Sequence, residues 1–358
     1  MSNTDGEGGA FEGAGLGARR RRAVRLSPES LVRTSHLSEG QSLPLVVEPA
    51  AAGLNLVSWA AERRAWVEEH LHKHGALLFR GFGVETADRF EQFVAATSGG
   101  PLEYHERTSP RSSVGGRVYT STDYPPEHPI FLHNEQSYNV TYLRKIYFCC
   151  LRPADTGGET PLADTRKVFA RLAPETRRRF LEQGYTYARN FGDGLGLSWR
   201  DAFQTASRAE VERYCREHDI EFEWKPGDRL RTRQTRPAAA LHPATGEAAW
   251  FNHATFFHVT TLPPAVRDRL LEEFAEEDLP NNTYYGDGSR IEPAVLEELR
   301  AAYLAEKVVF PWRAGDVLLV DNVLASHGRE PFSGPRRVVA GMADPFSWRE
   351  TEKVQAQR

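Results

Sequence analysis

The stretch FLHNEQSYN, residues 131–139, places a histidine and a glutamate two residues apart next to apolar flanks. On a β-strand, residues i and i+2 point to the same face, so His133 and Glu135 would share one face and Asn134 would point to the other. An imidazole and a carboxylate on one face supply two ligands for a divalent metal ion. The same spacing is also typical of a hydrogen-bonded His–Glu pair near a strand end, and for this stretch alone both interpretations stay open.

A second histidine near the C-terminus extends the pattern. In GDVLLVDNVLASHGREPFSGPRRVVAG, an apolar strand leads to a turn that carries His327, and a further strand opens with Arg336 and Arg337. Two histidines and one carboxylate form the facial triad of non-haem Fe(II) oxygenases, which leaves one side of the ion open for a bidentate co-substrate and dioxygen. The sequence therefore indicates a candidate iron site.

An arginine that follows the second histidine suits a dicarboxylate co-substrate, because a guanidinium holds a carboxylate in a planar, bidentate way. A molecule such as 2-oxoglutarate could chelate iron with its keto-acid end and place its far carboxylate on this arginine. Thr160 follows a Gly-Gly turn in GGET and is a candidate hydroxyl partner. On their own, GGET is typical of an ordinary turn and RR of a solvated surface.

The elements around these motifs predict a mainly β fold with helical additions. IFLHNEQSY, RKIYFCCL and RRVVAGMADPF predict strands, AAWFNHATFFHVTT is β-like, and residues 54–74 and TADRFEQFVAATSGG predict helices. Many short strands that do not alternate with helices favour a double-stranded β-helix (jelly roll, cupin-like) core with flanking helices. The sequence has no GxGxxG motif between a predicted strand and a predicted helix, so it does not support a nucleotide-binding fold.

Composition changes along the chain predict its organisation. The first 25 residues are Gly-rich and polar and include an arginine cluster, and they predict a disordered tail. From residue 166 to about residue 240, charged segments with helical period dominate, so we predict a helical insert. We expect residues 26–358 to form a single catalytic domain that includes this insert.

Charge and cysteine content exclude several classes of partner. The net charge is −4, which favours no nucleic-acid partner, and no apolar run reaches the roughly eighteen residues that a membrane span needs. The three cysteines form neither a disulfide framework nor a CxxC zinc pattern. We therefore expect a cytoplasmic protein without nucleic-acid or membrane partners, and a homo-oligomer is left open.

Four stretches, HNEQSYN, GGETPLADTRKVFARL, HGREPFSGPRRVV and YHERTSPRSSVGGRVYTSTDYPPEHPIFLHNE, together resemble the TauD/TfdA-type Fe(II)/2-oxoglutarate dioxygenases. More narrowly, they resemble the SyrP-like and clavaminate-synthase-like branch, which uses His-x-Glu in place of His-x-Asp. The resemblance runs from about residue 45 to the end. It implies Fe(II), 2-oxoglutarate and O2 as cofactors, and a jelly-roll enzyme.

The resemblance also implies individual roles. His133, Glu135 and His327 would bind iron and act as the catalytic set, and Thr160 and Arg337 would bind the distal carboxylate of 2-oxoglutarate, with Arg336 as the alternative. Many members carry a second arginine four residues after this clamp, where the present chain has glycine at position 341. That contact must be absent or supplied from elsewhere.

The implied reaction is hydroxylation of an unactivated C–H in a small molecule, an amino acid or amino-acid-derived substrate, free or bound to a carrier protein, in specialised metabolite biosynthesis such as that of antibiotics. Desaturation, epoxidation or cyclisation with the same cofactors, or a non-catalytic regulator with an oxygenase fold, are the alternatives. Halogenation is disfavoured, because related halogenases replace the carboxylate with Gly or Ala. A zinc hydrolase is disfavoured because no HExxH motif is present.

Polar residues near the motifs are candidates for substrate binding: Tyr104, Arg107, Arg111, Asn134 and Asn252. Arg107 and Arg111 could equally form structural salt bridges, and Asn134 could simply brace its loop. His253 and His258 are five residues apart, which suits neither one helix face nor one strand face. We interpret them as packing residues, with His253 the one that could line the pocket.

Overall fold

The computed structural model describes residues 31–98, 124–192, 196–351 and 354, together with the backbone of residues 113–115 and 118–120. The predicted tail, residues 1–25, lies outside this part of the chain. The strands of the described residues are β1 Val32–His36, β2 Leu45–Pro49, β3 Ala76–Phe79, β4 Ser113–Gly115, β5 Val118–Thr120, β6 Ile130–His133, β7 Thr141–Arg152, β8 Thr156–Gly157, β9 Leu162–Asp164, β10 Tyr185–Phe191, β11 Glu221–Lys225, β12 Arg229–Arg236, β13 Ala239–Leu241, β14 Ala248–Trp250, β15 Asn281–Tyr285, β16 Val317–Asp321, β17 Ala325–Arg329, β18 Phe332–Ser333 and β19 Arg337–Ser347. The helices are α1 Leu56–Glu62, α2 Arg64–His74, α3 Ala87–Ser98, α4 Thr165–Arg171, α5 Pro174–Gln183, α6 Trp199–Phe203, α7 Arg208–Glu217, α8 Pro264–Glu273 and α9 Pro293–Ala305, with 3-10 turns at Val259–Thr261 and Glu276–Asp278.

Two facing sheets form the jelly roll that the sequence predicts. In the described residues the larger sheet has the order β1-β2-β3-β16-β7-β19-β5-β4, and the smaller has the order β6-β17-β9. The chain changes sheet between β6 and β7 and again between β16 and β17. The short connections at these two crossings bring segments that are distant in sequence to the same end of the fold.

Alternation along the central strand β7 explains how both faces of the larger sheet are buried. Tyr147 and Cys149 pack against helices α1 to α3, whereas Phe148 and Cys150 point into the space between the sheets. Successive side chains of a strand point to opposite faces, so the two adjacent cysteines are separated by the sheet. Both are free thiols.

The predicted helical insert, residues 166–240, is in fact a mixed segment. It contains helices α4 to α7, but β10, β11 and β12 also lie within it and pair with β15 in the order β11-β12-β10-β15. In RLRTRQTR of β12, arginines alternate with the buried residues Leu230, Thr232 and Gln234. The high charge suggested helices, but the two-residue period is that of a strand.

Three further predictions differ from the structure. Residues 54–74 form two helices, which meet at Arg63, instead of one. AAWFNHATFFHVTT is a strand only at Ala248–Trp250 and then becomes turns and a 3-10 turn. IFLHNEQSY is a strand only as far as His133.

The described helices were compared with the length and hydropathy of a membrane span. None of those described has both the length and the apolar character that crossing a bilayer requires.

Candidate active site

His133 and His327 face each other across two paired strands. They are register partners in the antiparallel β6–β17 pair, and their ring centroids are 4.5 Å apart. His327 therefore lies within a strand, not in the turn that the sequence suggested, because the turn is completed earlier, at residues 322–324. Strand pairing thus places the two histidines directly opposite each other.

Glu135 completes the cluster from outside the sheet. Its Oε2 lies 3.9 Å from Nε2 of His133 and 3.9 Å from Nε2 of His327. Neighbouring ligand atoms that each lie about 2 Å from one ion are roughly 3 Å apart. A shift of about 1 Å in these side chains would therefore bring all three onto a single divalent metal ion. The prediction that Glu135 shares a strand face with His133 was wrong, because Glu135 lies in a turn that follows the strand.

The tautomer of His133 agrees with a role as a metal ligand. Its Nδ1 lies 2.8 Å from the carbonyl oxygen of Phe131, which can only accept, so Nδ1 carries the proton. The lone pair is then on Nε2, the atom that faces Glu135. A backbone partner at the second ring nitrogen is the usual way in which a metal-binding histidine is oriented.

Aromatic rings enclose the cluster. Phe256 stacks on the His133 ring at 4.3 Å, and the Phe148 ring lies 5.1 Å from that of His327. His253 lies 5.7 Å from the His133 ring and is hydrogen-bonded through Nδ1 to Ser137 Oγ at 2.6 Å. Burial first, and the neighbouring His133 second, lower the pKa of His253 well below its usual value, so His253 is a neutral part of this wall.

Thr160 is buried beside a tryptophan that orients its hydroxyl. The indole Nε1 of Trp312 donates to Thr160 Oγ1 at 3.2 Å. Because an indole N–H can only donate, the hydroxyl oxygen is the acceptor there, and its own hydrogen can be donated to an anion.

Of the two adjacent arginines, Arg336 is the one that turns inward. Arg337 is exposed, whereas Arg336 donates from Nε to the Gly158 carbonyl at 2.9 Å. The Arg336 side chain also packs against the loop that precedes Thr160, since a Cβ on Gly158 would lie 2.9 Å from Arg336 Cδ. This favours Arg336 over Arg337, reversing the order in which the sequence ranked them.

The surroundings of Arg336 lower the pKa of its guanidinium. Burial first, and the positive charge of Arg329 second, lower the pKa of Arg336 to about 10. The guanidinium is still charged at neutral pH, and a bound carboxylate would offset the cost of burying that charge.

The remaining predicted residues fall into two groups. Tyr104, Arg107 and Arg111 lie outside the described residues. Asn134 and Asn252 are buried, and both brace main chain. Asn252 donates to the Ala238 carbonyl and accepts from the Ala254 N–H, and Asn134 donates to the carbonyls of Asn322 and Ala325. These bonds give both side chains a structural role, and their part in substrate binding stays a prediction.

Gly341, four residues after Arg337, faces away from the site, and Ala340, four residues after the inward-turned Arg336, has no polar side chain. A Cβ at position 341 would lie 3.4 Å from Val94 and 3.7 Å from Phe90 on helix α3. A side chain at residue 341 would thus enter the helix-facing core, and the additional carboxylate contact does not come from this position.

A second group of potential ligands, His72, His242 and Asp321, is explained without a metal. His242 Nδ1 accepts from the N–H groups of Ala244 and Thr245, so its proton is on Nε2, 3.0 Å from Asp321 Oδ2. This Nε2–H donates to the carboxylate, and the nitrogen has no lone pair to offer a metal ion. The pair braces the connection between β16 and β17.

A jelly roll that gathers two histidines and one carboxylate is the architecture of non-haem Fe(II) oxygenases. Residues 39–343 match the family model described as taurine catabolism dioxygenase TauD, TfdA family. The chain belongs to the TauD/TfdA family, and is a 2-oxoglutarate-dependent dioxygenase that uses Fe(II), 2-oxoglutarate and O2.

Individual relatives agree with this membership. The chain is 40% identical over 292 residues to the dapdiamide synthesis protein DdaC of Enterobacter agglomerans, covering 82% of this chain and 89% of the relative. It is 28% identical over 322 residues to a clavaminate synthase-like protein of Arabidopsis thaliana, covering 85% and 94%. PvcB of Pseudomonas aeruginosa, an Fe, α-ketoglutarate-dependent oxygenase, shares the fold with a TM-score of 0.54 at 17% identity, over 91% of this chain and 96% of PvcB.

Proposed function

We propose that His133, Glu135 and His327 hold the ferrous ion. The observation that carries this assignment is the convergence of their ligand atoms, all within 4.8 Å of one another, on the paired strands β6 and β17 and the turn beside them. The proton on Nδ1 of His133 supports it, because the opposite nitrogen is then free to bind a metal.

The distal carboxylate of 2-oxoglutarate binds Arg336 and Thr160. Arg336 supplies a buried positive charge, and the Thr160 hydroxyl supplies one hydrogen-bond donor, since its oxygen already accepts from Trp312. Gly158 connects the two, because its carbonyl orients Arg336 and it lies two residues before Thr160.

The enzyme hydroxylates an unactivated C–H of an amino acid or amino-acid-derived substrate, free or carrier-bound, in the biosynthesis of a specialised metabolite. The similarity to a dapdiamide synthesis protein over most of both chains supports a biosynthetic role. The carboxylate of Glu135 supports oxygenation over halogenation, since it occupies the place where a halide would bind. A cytoplasmic location is consistent with three buried free thiols, at Cys149, Cys150 and Cys215.

Fe(II), 2-oxoglutarate and O2 supply the oxidising chemistry, in which 2-oxoglutarate is converted to succinate and CO2. The protein holds the co-substrate by one end and presents the substrate C–H at a fixed distance. Rings such as Phe148 and Phe256 limit access of water to the reacting groups.

Two measurements test the proposal. Under anaerobic conditions, Fe(II) followed by 2-oxoglutarate should produce a visible charge-transfer band, which should be weaker at the same iron concentration in the Glu135→Ala and His133→Ala variants. A panel of amino acids and aminoacyl thioesters is then assayed for succinate and for product mass. A gain of one oxygen identifies hydroxylation or epoxidation, which a product structure distinguishes, and a loss of two hydrogens identifies desaturation or cyclisation. A band of unchanged intensity in both variants would exclude the ligand assignment.

A further inference from the structure

Glu135 lies beyond the regular structure that holds the two histidines. Strand β6 ends at His133, and Gln136 adopts a positive φ of 57° in the turn that follows. Sheet hydrogen bonds therefore fix the histidines but not the carboxylate. A ligand on such a turn needs another support if its oxygen is to keep its place.

The side chain of Asn322 provides this support. Its Oδ1 accepts from the Glu135 N–H at 2.8 Å, and its Nδ2 donates to the Glu135 carbonyl at 2.8 Å and to the Leu143 carbonyl at 2.7 Å. One amide thus pairs with both polar groups of the Glu135 main chain. Only asparagine or glutamine combines an acceptor and two donors in this way, and glutamine is one methylene longer.

Asn322 is itself held firmly. It is fully buried, its N–H donates to the Arg144 carbonyl at 2.7 Å, and its carbonyl accepts from Asn134 Nδ2 at 2.6 Å. The neighbouring Asp321 closes the turn by accepting from the N–H groups of Val323 and Leu324. The turn between β16 and β17 is therefore rigid, and it lies five residues before His327.

We propose that Asn322 is a positioning residue, which fixes the turn of Glu135 relative to the strand of His327 and so sets where the carboxylate meets the metal ion. This role rests on the proposed assignment of Glu135 as an iron ligand. Without the Asn322 amide, two buried main-chain groups of Glu135 lose their partner, and the turn can shift. The carboxylate then spends less time in the position that is 3.9 Å from both imidazoles.

The test uses Co(II) as a probe in the full-length protein, and its affinity and visible absorption bands are followed without turnover. Asn322→Ala should weaken Co(II) binding roughly 10- to 100-fold, the usual effect of removing a group that orients a metal ligand, and should change the absorption bands. Asn282→Ala is the matched control, since Asn282 is also buried and also braces main chain, through the Val259 N–H at 3.1 Å. Its Co(II) affinity should be unchanged.

A double variant shows whether Asn322 acts through Glu135. In a Glu135→Ala background, Asn322→Ala should weaken Co(II) binding no further. The same fold loss in both backgrounds would overturn the proposal, as would unchanged affinity in the single variant. If Asn322→Ala does not fold, Asn322→Asp keeps the side-chain volume and the acceptor for the Glu135 N–H but replaces the donor to the Glu135 carbonyl with an oxygen, and unchanged affinity there overturns the proposal as well. Unchanged affinity in Glu135→Ala alone would instead overturn the ligand assignment, and this role with it.

Discussion

Arg336 donates a hydrogen bond from Nε to the Gly158 carbonyl at 2.9 Å, and this contact joins the segment after His327 to the loop that carries Thr160. The adjacent Arg337 begins β19, where the strand register shifts, and is exposed. The two arginines therefore have different environments although the sequence gives them the same type, and they make a matched pair for mutagenesis.

Replacing Arg336 should weaken 2-oxoglutarate binding much more than replacing Arg337. Hydrogen bonds to charged groups contribute about 1.5–3 kcal/mol, so Arg336→Ala should raise the Kd of 2-oxoglutarate roughly 10- to 100-fold. Arg336→Lys should recover only part of this loss, because lysine cannot form the planar bidentate contact. The Kd is measured from the anaerobic charge-transfer band. A larger effect from Arg337→Ala than from Arg336→Ala would assign the clamp to the exposed residue instead.

Gly158→Ala should weaken 2-oxoglutarate binding by displacing Arg336. Gly158 has φ of 74°, and a Cβ there would lie 2.9 Å from Arg336 Cδ and 3.1 Å from Phe332 Cβ. Gly246 is the control, since its φ is 70° but no atom lies within 4 Å of an added Cβ. Both variants should lose about 1 kcal/mol or more in unfolding free energy from the left-handed backbone, as measured by urea denaturation. Only Gly158→Ala should also raise the Kd of 2-oxoglutarate, and an equal rise in both would show that the steric argument is wrong.

Removing a proposed iron ligand should abolish turnover, whereas changing the other histidine–carboxylate cluster should not. His133→Ala and Glu135→Ala each leave two of the three protein ligands, so iron is held more weakly and in a changed geometry, and succinate formation should fall to background. His72→Ala is the control, because His72 belongs to the group whose His242–Asp321 pair is already satisfied by hydrogen bonds. Iron content and succinate release are measured together. Full activity of Glu135→Ala with iron and 2-oxoglutarate present would refute its role.

The sequence was sufficient for the jelly roll and for the proposed ligand set, because these depend on residue types and on order along the chain. The spacing His-x-Glu pointed to two side chains that the fold does bring together, but for an incorrect geometric reason, since the strand stops at His133 and a turn carries Glu135. What holds that turn is Asn322, which is distant in sequence and became visible only once β16 and β6 were placed together. The DN dipeptide after an apolar strand was its only signal in the chain.

Other incorrect predictions from the sequence have similar causes. Charge in RLRTRQTR masked a two-residue period, so β12 was interpreted as part of a helical insert. The choice between Arg336 and Arg337 depends on the contact of Arg336 with Gly158, which is distant in sequence, and on the start of β19 at Arg337, where the strand register shifts. The tautomers of His133 and His242 likewise depend on carbonyl and N–H partners that no single-sequence pattern specifies.

His258 should make the protein less stable as the pH falls below the usual histidine range. Burial first, and the positive charge of Arg300 second, lower the pKa of His258 from 6.5 to about 4. Between these values the unfolded chain binds a proton that the folded protein does not, so the free energy of unfolding decreases as pH falls through this window and levels off below about pH 4. The contribution is at most about 2 kcal/mol by pH 5, and it is absent above about pH 7.

His258→Asn removes the titrating group but keeps an acceptor for the Thr260 N–H, which donates to His258 Nδ1 at 3.2 Å. Urea denaturation is measured at about pH 7 and about pH 5. Between these values the variant should lose less unfolding free energy than the wild type, because the other groups titrate equally in both proteins and their contributions cancel in the comparison. Equal losses in the two proteins would mean that the folded protein and the unfolded chain protonate His258 alike, so that burial does not lower the pKa of this imidazole.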